Sequence, residues 1–253
     1  MSDSKSRFTG RATDYEKYRP LYPSGLLSLM YRKGILSSGG LVADIGSGTG
    51  ISAQIFLDGG HEVWAVEPNV EMRTAAESHR GILPGFHSVP GTAENSGLKD
   101  HFMDLVFCAQ AFHWFDFAKA AIEFRRILKP GKFVCIAWNE RMTEGTGFDR
   151  EYEQLLHKHS SQYAGVNHVR DWKPVFAEFF ASGEYETDEL PNSQMLDLDG
   201  LLGRTRSCSY MNFSEGEPDP AILSDLEDLY DKNQGNGFVQ MNYRTTIYCG
   251  LPS

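Results

Sequence analysis

The segment Asp44-Ile45-Gly46-Ser47-Gly48-Thr49-Gly50 sets three glycines at alternate positions. It directly follows a short apolar run, Leu41–Gly46 (LVADIG), and directly precedes Ile51–Leu57, which has helical composition. Glycines allow positive φ and let a ligand approach the main chain closely. Between a strand and a helix, at the carboxyl edge of a parallel sheet, such a turn is placed to hold a nucleoside. The dinucleotide fingerprint G-x-G-x-x-G does not fit, because the third glycine comes one residue early, at Gly50, and Ile51 takes the expected place. The Asp44 carboxylate at the mouth of the turn would repel a pyrophosphate and suits a ligand with positive charge. Glu67 ends a second strand-like run, His61–Glu67, about 20 residues beyond the first glycine, where an acid can accept hydrogen bonds from both ribose hydroxyls. It would serve equally as an acid at a helix N-terminus, since Pro68 and Asn69 lead into Val70.

A nucleoside ligand carrying a sulfonium and an ammonium meets these requirements, and S-adenosylmethionine is such a ligand; methyl transfer would leave S-adenosylhomocysteine. Met72 is placed to pack on the adenine ring. Ala93 and Glu94, in Gly91-Thr92-Ala93-Glu94, follow a third strand-like run and can read the adenine edge. No phosphate-binding G-x-x-x-x-G-K-[ST] loop occurs. A sulfonium is already a good leaving group, so the reaction needs alignment, exclusion of water and, only for a protonated nucleophile, a base. His113, in Cys108-Ala109-Gln110-Ala111-Phe112-His113-Trp114-Phe115, is the candidate base, although a histidine in an aromatic cluster more often only packs. Gln110 is placed to touch the methionyl end or the acceptor, and Trp114 to shape the acceptor pocket. The segment is not the N/D-P-P-Y/F/W of amide and adenine N-methyltransferases, which argues against those acceptors. Near the N-terminus Tyr15, Tyr18, Arg19 and Tyr22 fit a lid, with Arg19 paired to a carboxylate of cofactor or acceptor; the other reading is a surface turn around Pro20 and Pro23. Arg204, Arg206, Ser207 and Tyr210 are candidates for the acceptor side, where arginine would suit an acidic molecule.

The elements that must position these residues alternate. Strand-like runs at Leu41–Gly46, His61–Glu67, Gly85–Gly91, Phe102–Ala109 and Lys132–Trp138 are separated by helical stretches at Ile51–Leu57, Val70–His79 and Phe117–Leu128. This rhythm predicts βαβ units and a doubly wound α/β fold with a mostly parallel sheet. Beyond Asn139 the rhythm breaks. Helices are expected at Phe148–Ser161, Asp171–Ser182, Met195–Leu202 and Pro220–Asn233, strands at Tyr185–Leu190 and Tyr243–Leu251.

The bulk properties exclude several classes. At 41% hydrophobic and 23% charged residues, the 253-residue chain is not wholly disordered. The net charge, 24 − 34 = −10, with no basic block, disfavours a nucleic-acid partner. No apolar run approaches the ~20 residues that span a bilayer, so no membrane partner is expected. Met1–Arg11 is polar, and the expected location is cytoplasmic. Cys108, Cys135, Cys208 and Cys249 show no metal-ligand spacing; no metal is expected, and the cysteines are expected to be reduced and packed in strands.

As an ordered series, DIGSGTG, VEPN, GTAEN, DLVFCAQAFHWFD and RILKPGK resemble the class I S-adenosylmethionine-dependent methyltransferases of the methyltransferase-11 type, over residues 35–140. The run from Phe8 to Pro23, with Arg206-Ser207-Cys208-Ser209-Tyr210 and Tyr243-Arg244-Thr245-Thr246, resembles the trans-aconitate methyltransferase-like group of small-molecule enzymes. The resemblance implies a Rossmann-like sheet of seven strands, the last antiparallel, with a mainly helical cap inserted before it. The expected organisation is a lid segment and first helix (1–34), a cofactor-binding core (35–140), a cap with remaining core elements (141–236) and a closing strand (237–253). The expected acceptor is a small molecule: a carboxylic acid, a phenol or quinone precursor, or a similar metabolite. Two other readings stay open, an NAD-dependent oxidoreductase and a non-catalytic cofactor-binding protein on the same fold.

Overall fold

Four apolar segments have few polar side chains to offer solvent, and they form the middle of a sheet covered on both faces. The computed structural model describes residues 16–161, 163, 171–208, 210–211 and 219–253. Strands β1 (Leu41–Ile45), β2 (Glu62–Val66), β3 (Phe86–Val89), β4 (Met103–Ala109) and β5 (Leu128–Arg141) pair in parallel. Strands β6 (Glu186–Leu196) and β7 (Val239–Gly250) complete the sheet, with β7 inserted antiparallel between β5 and β6. The order is β3-β2-β1-β4-β5-β7-β6, which is the seven-stranded, doubly wound arrangement expected.

Alternation along each strand divides the core into two faces. Val42, Leu105, Phe107 and Ala137 face helices α1 (Gly25–Arg32) and α2 (Ile51–Asp58), where Leu26, Met30, Ala53 and Phe56 are buried. Ala43, Ile45, Val106 and Ile136 face α4 (Phe117–Ile127) and α6 (Lys173–Phe179), which contribute Ala121, Phe124, Phe176 and Phe179. Between α2 and α4 in the chain, α3 (Val70–Arg80) is started by Asn69, whose side chain accepts the Met72 N–H at 3.1 Å. A third cluster joins α5 (Gly147–His159), α7 (Leu198–Arg206) and α8 (Pro220–Asn233) to Val239, Met241 and Tyr243 of β7. Among the described residues no helix is long and apolar enough to cross a membrane.

The bounds of several elements differ from expectation: β5 starts at Leu128 and not Lys132, and β7 at Val239 and not Tyr243. The helix expected at Met195–Leu202 runs from Leu198 to Arg206, because Asp197 caps it by accepting the Gly200 N–H at 2.7 Å. Met195 and Leu196 stay in β6, opposite Gln240 and Val239. That strand runs well beyond the expected Tyr185–Leu190. Its polar sequence, broken by Pro191, lacks an apolar signal, yet an edge strand tolerates both.

The cysteine expectation is corrected as well. Cys135 and Cys249 are directly paired residues of β5 and β7, their Cα atoms 4.3 Å apart, and they form a disulfide on the buried α1/α2 face. The apolar runs around them placed both in strands but could not reveal that the strands would be neighbours. Cys108 and Cys208 are free and buried, as expected, but Cys208 follows α7 instead of lying in a strand. The bridge spans 114 residues of sequence, so in the unfolded chain it closes a long loop. Constraints of that length contribute about 5 kcal/mol, or roughly 10–20 °C of melting temperature at this chain size. Reduction with a phosphine should lower the melting temperature by that order, and Cys135→Ser should abolish the difference between reduced and oxidised samples.

Candidate functional site

The carboxyl ends of β1, β2 and β4 open onto two adjoining clefts that share Gly46, Gly48, Ala109 and Gln110. The glycine turn divides them. Gly46 has φ 69°, and a Cβ there would lie 2.6 Å from that of Ala111, so only glycine lets the turn pass under the β4 loop.

The first cleft, of about 860 Å³, is walled by Met72, Pro68, Ala93, Trp114 and Phe115, with Asn69, Thr92, Glu94 and Ala111 at its edge. This is a slot with apolar faces and polar ends, the composition that holds a planar base. Glu67 stands in it and binds the adjoining main chain with both oxygens. Oε2 accepts the Gly48 N–H at 2.9 Å and Oε1 the Asn69 N–H at 2.8 Å. Burial pushes the Glu67 carboxyl up, and those two N–H groups and Arg73 pull against it. Glu94 Oε1 accepts the Asp116 N–H at 2.9 Å and so ties the third-strand loop to the start of α4.

The second cleft, of about 520 Å³, is lined by Arg19, Pro20, Tyr22, Ser47, Thr49, Ile51, Ser52, Asn139 and Arg204, besides the shared residues. Gln110 stands between the two clefts with φ 59°, a conformation that costs a side-chain-bearing residue about 1–2 kcal/mol. Its N–H to Ala137 O (2.9 Å) and its Nε2 to Asn139 O (3.0 Å) hold it there. Arg204 is buried, donating Nε to Tyr243 Oη at 3.1 Å and Nη1 to Cys208 Sγ at 2.9 Å. Burial opposes its charge, but Tyr243, Cys208 and Tyr152 together hold its pKa well above the ordinary value. In the same contact, burial pushes the Cys208 thiol up while Arg204 and Arg19 more than undo the effect, leaving it lowered.

Asp44 lines neither cleft. It lies fully buried beneath the turn on the α2 face, and its Oδ2 accepts the Ser52 hydroxyl at 2.7 Å. Burial carries its pKa up to about 7, against the pull of Ser52, Arg80 and the Ala53 N–H. Asp44 Oδ1, Ser47 Oγ and Thr49 Oγ1 are buried without a hydrogen-bond partner among the described residues. Ser47 and Thr49 line the second cleft and Asp44 lies beneath the same turn, so the three orphaned oxygens are a candidate acceptor set for an ammonium group.

Of the remaining expected residues, Gly50 shapes the turn without lining a cleft, and Tyr18 is buried against Gly203. A Cβ at Gly203 would lie 2.3 Å from the Tyr18 ring. His113 is exposed on the 3-10 turn Phe112–Trp114, outside both clefts, with its ring centroid 4.6 Å from that of Trp114. Arg206 and Tyr210 lie on the cap side and line neither cleft, whereas Arg204 does. Tyr15 and Ser209 lie outside the described residues, as do Phe8–Asp14 of the N-terminal motif. Asn139, Arg80 and Gly203 were not legible as site residues. Asn139 sits four residues beyond Cys135 on the same strand face, so the position was readable only once the end of β5 was known.

The family described as "Methyltransferase domain" matches residues 43–136. An uncharacterized methyltransferase-like protein of Schizosaccharomyces pombe is 33% identical over 248 residues, covering 95% of this chain and 93% of that protein. An uncharacterized methyltransferase of Mycobacterium tuberculosis is 34% identical over 154 residues, and the match spans 61% of this chain and 60% of the mycobacterial protein's length. The solved structure of a protein from Anaeromyxobacter dehalogenans, provisionally described as a type II methyltransferase, superposes with a TM-score of 0.67 at 19% identity, over 92% of this chain and 98% of that one. At that identity the likeness is one of fold.

Proposed function

Because the chain belongs to the methyltransferase family, we propose that it moves a methyl group from S-adenosylmethionine to a small-molecule acceptor bearing a carboxylate, leaving S-adenosylhomocysteine. The observation that carries the cofactor reading is the set of orphaned oxygens on Asp44, Ser47 and Thr49, one turn away from Glu67 in its apolar slot. The residues fit the group. Met72, Pro68, Ala93, Trp114 and Phe115 would enclose the adenine, and Glu67 would accept the ribose hydroxyls. Asp44, Ser47 and Thr49 would face the methionyl ammonium.

When bound, S-adenosylmethionine supplies a methyl on a sulfonium, a leaving group that needs no activation. The chain's own residues must hold an acceptor oxygen in line, ~3 Å from that methyl, and keep water away. Two features favour a carboxylate. Arg19 and Arg204 both line the second cleft of a chain whose net charge is −10. A guanidinium fork suits a carboxylate by paired hydrogen bonds. A carboxylate is also its own nucleophile, whereas a phenol needs a base. Among the described residues lining the clefts the only carboxylates are Glu67 and Glu94, both already committed to backbone N–H groups, and no histidine is among them. Exposed as it is, His113 is assigned to packing beside Trp114.

Calorimetric titration with S-adenosylmethionine, S-adenosylhomocysteine and NAD tests the cofactor. Micromolar affinity for the adenosyl ligands and none for NAD is expected; the reverse would establish the oxidoreductase reading. Labelled methyl transfer to a panel of small mono- and dicarboxylic acids and phenols tests the acceptor. Labelling of the acids alone is expected, labelling of the phenols alone would overturn the carboxylate reading, and cofactor binding without any transfer would favour a non-catalytic binder.

A further inference from the structure

Arg80 ends α3, and its side chain leaves its own helix to join two distant segments. It is buried. Nη1 donates to Thr49 O at 2.7 Å, and Nη2 pairs with Glu16 Oε1 at 2.8 Å. Gly50 has φ 85°, and a Cβ there would lie 2.9 Å from Arg80 Cδ, so the glycine that ends the turn also admits the arginine. One guanidinium therefore grips the glycine turn through a carbonyl and the N-terminal strap through a carboxylate.

The strap then crosses the second cleft. Gln194 Nε2 donates to Tyr18 O at 3.0 Å, and Arg19 Nη2 to Ser207 O at 2.7 Å. At its far end, Leu21 O accepts both Asn192 Nδ2 (2.7 Å) and Asn139 Nδ2 (3.2 Å). The Tyr18 ring rests in the notch at Gly203, next in sequence to Arg204. These hydrogen bonds tie the strap to the β5–β6 side and to the end of α7, while the Tyr22 ring meets Phe107 of β4 edge-on, centroids 6.2 Å apart. The Glu16–Arg80 pair instead reaches the turn that carries Ser47 and Thr49.

We infer that Glu16 and Arg80 are positioning residues for methyl transfer, latching the strap to the glycine turn so that Arg19 and Tyr22 are held over the second cleft in register with Ser47 and Thr49. The inference rests on the cofactor reading above, with the methionyl end in the second cleft. It differs from a general structural role in what it leaves alone. The adenosine slot is built from Glu67, Met72, Ala93 and Trp114, none of which touches the latch through any contact described above.

The test compares two probes, S-adenosylhomocysteine and adenosine, on the full chain. Glu16→Gln keeps the shape and removes the charge; Arg80→Met removes the guanidinium; Arg80→Lys keeps the charge but cannot bridge both partners equally. Losing a charge-assisted hydrogen bond of this kind should weaken S-adenosylhomocysteine about tenfold or more in Glu16→Gln and Arg80→Met, with Arg80→Lys intermediate. Adenosine affinity should stay within about twofold of wild type, below what one such bond is worth. A second readout needs no ligand: trypsin should cut after the exposed Lys17, whose neighbour Tyr18 is buried, faster in Glu16→Gln than in wild type. Equal weakening of both probes, or unchanged cleavage at Lys17, would overturn the latch. If the wild type binds neither probe, the cofactor reading falls, and the proteolysis result alone decides whether Arg80 holds the strap.

Discussion

Asp44→Asn should make the protein more stable and less able to bind its cofactor, in one substitution. The carboxylate is fully buried, with one oxygen bound to Ser52 and the other without a hydrogen-bond partner among the described residues. Burial carries its pKa up to about 7 in the folded chain, against the ordinary carboxylate value of 3.8. Between those two values the folded state holds a proton that the unfolded state has released, so stability falls as pH rises across the window. Above pH 7 the penalty is complete, on the order of 4 kcal/mol. Asparagine keeps the shape and a hydrogen-bonding oxygen for Ser52 and carries no charge. The variant should therefore melt higher than wild type by roughly 10 °C at pH 8 and by almost nothing near pH 4.

The same charge is what a methionyl ammonium would meet, and binding should draw Asp44 fully into its ionised form. Titration of wild type with S-adenosylhomocysteine at pH 6.5, in two buffers of different ionisation enthalpy, should reveal a released proton. Asp44→Asn should show no release and bind at least about 30-fold more weakly, as loss of a buried ion pair implies. A variant that melts lower than wild type at every pH would mean that Asp44 serves the fold, through Ser52 and Arg80, and not the ligand. Buried charges kept at a cost to stability are a mark of functional sites.

The parts of this site that were legible in the sequence are those where one local segment does the whole task. The Asp44–Gly50 turn needs only its own glycines and the strand and helix on either side, and Glu67 follows from where β2 ends. The apolar runs of β1, β2, β4 and β5 announce buried strands because period and composition agree there. What was not legible depends on partners far along the chain. β6 is long because β7 lies beside it for eleven register pairs, not because its own residues favour a strand. The Cys135–Cys249 bridge exists because β5 and β7 are neighbours. Arg204 and Arg206 were both candidates, but two residues apart on α7 they point to nearly opposite sides, and only the packing of α7 decides that Arg204 lines the second cleft. His113 drew notice by its residue type, yet the 3-10 turn after β4 directs Trp114 and Phe115 to the cleft and His113 to solvent.

Glu67 carries the second large effect, and its contacts predict how the loss divides. Each carboxylate oxygen accepts one backbone N–H, from Gly48 and from Asn69, and retains a lone pair directed to the slot. Glu67→Ala removes two acceptors for the ribose hydroxyls and also releases the glycine turn. Two hydrogen bonds to a charged acceptor contribute about 3–6 kcal/mol, so adenosine and S-adenosylhomocysteine should both weaken by at least about a hundredfold. Glu67→Gln keeps one carbonyl oxygen and places an amide donor where the other acceptor stood, facing an N–H. One of the two backbone contacts is then lost, and the loss should fall between wild type and alanine. The contrast with the latch is the decisive element. Glu67 variants should weaken adenosine and S-adenosylhomocysteine alike, because the damage lies in the slot both probes share. Asp44 and Arg80 variants should weaken only the probe with a methionyl end. If Glu67→Ala left adenosine binding intact, the adenosyl group would have to sit elsewhere, and the assignment of the two clefts would be reversed.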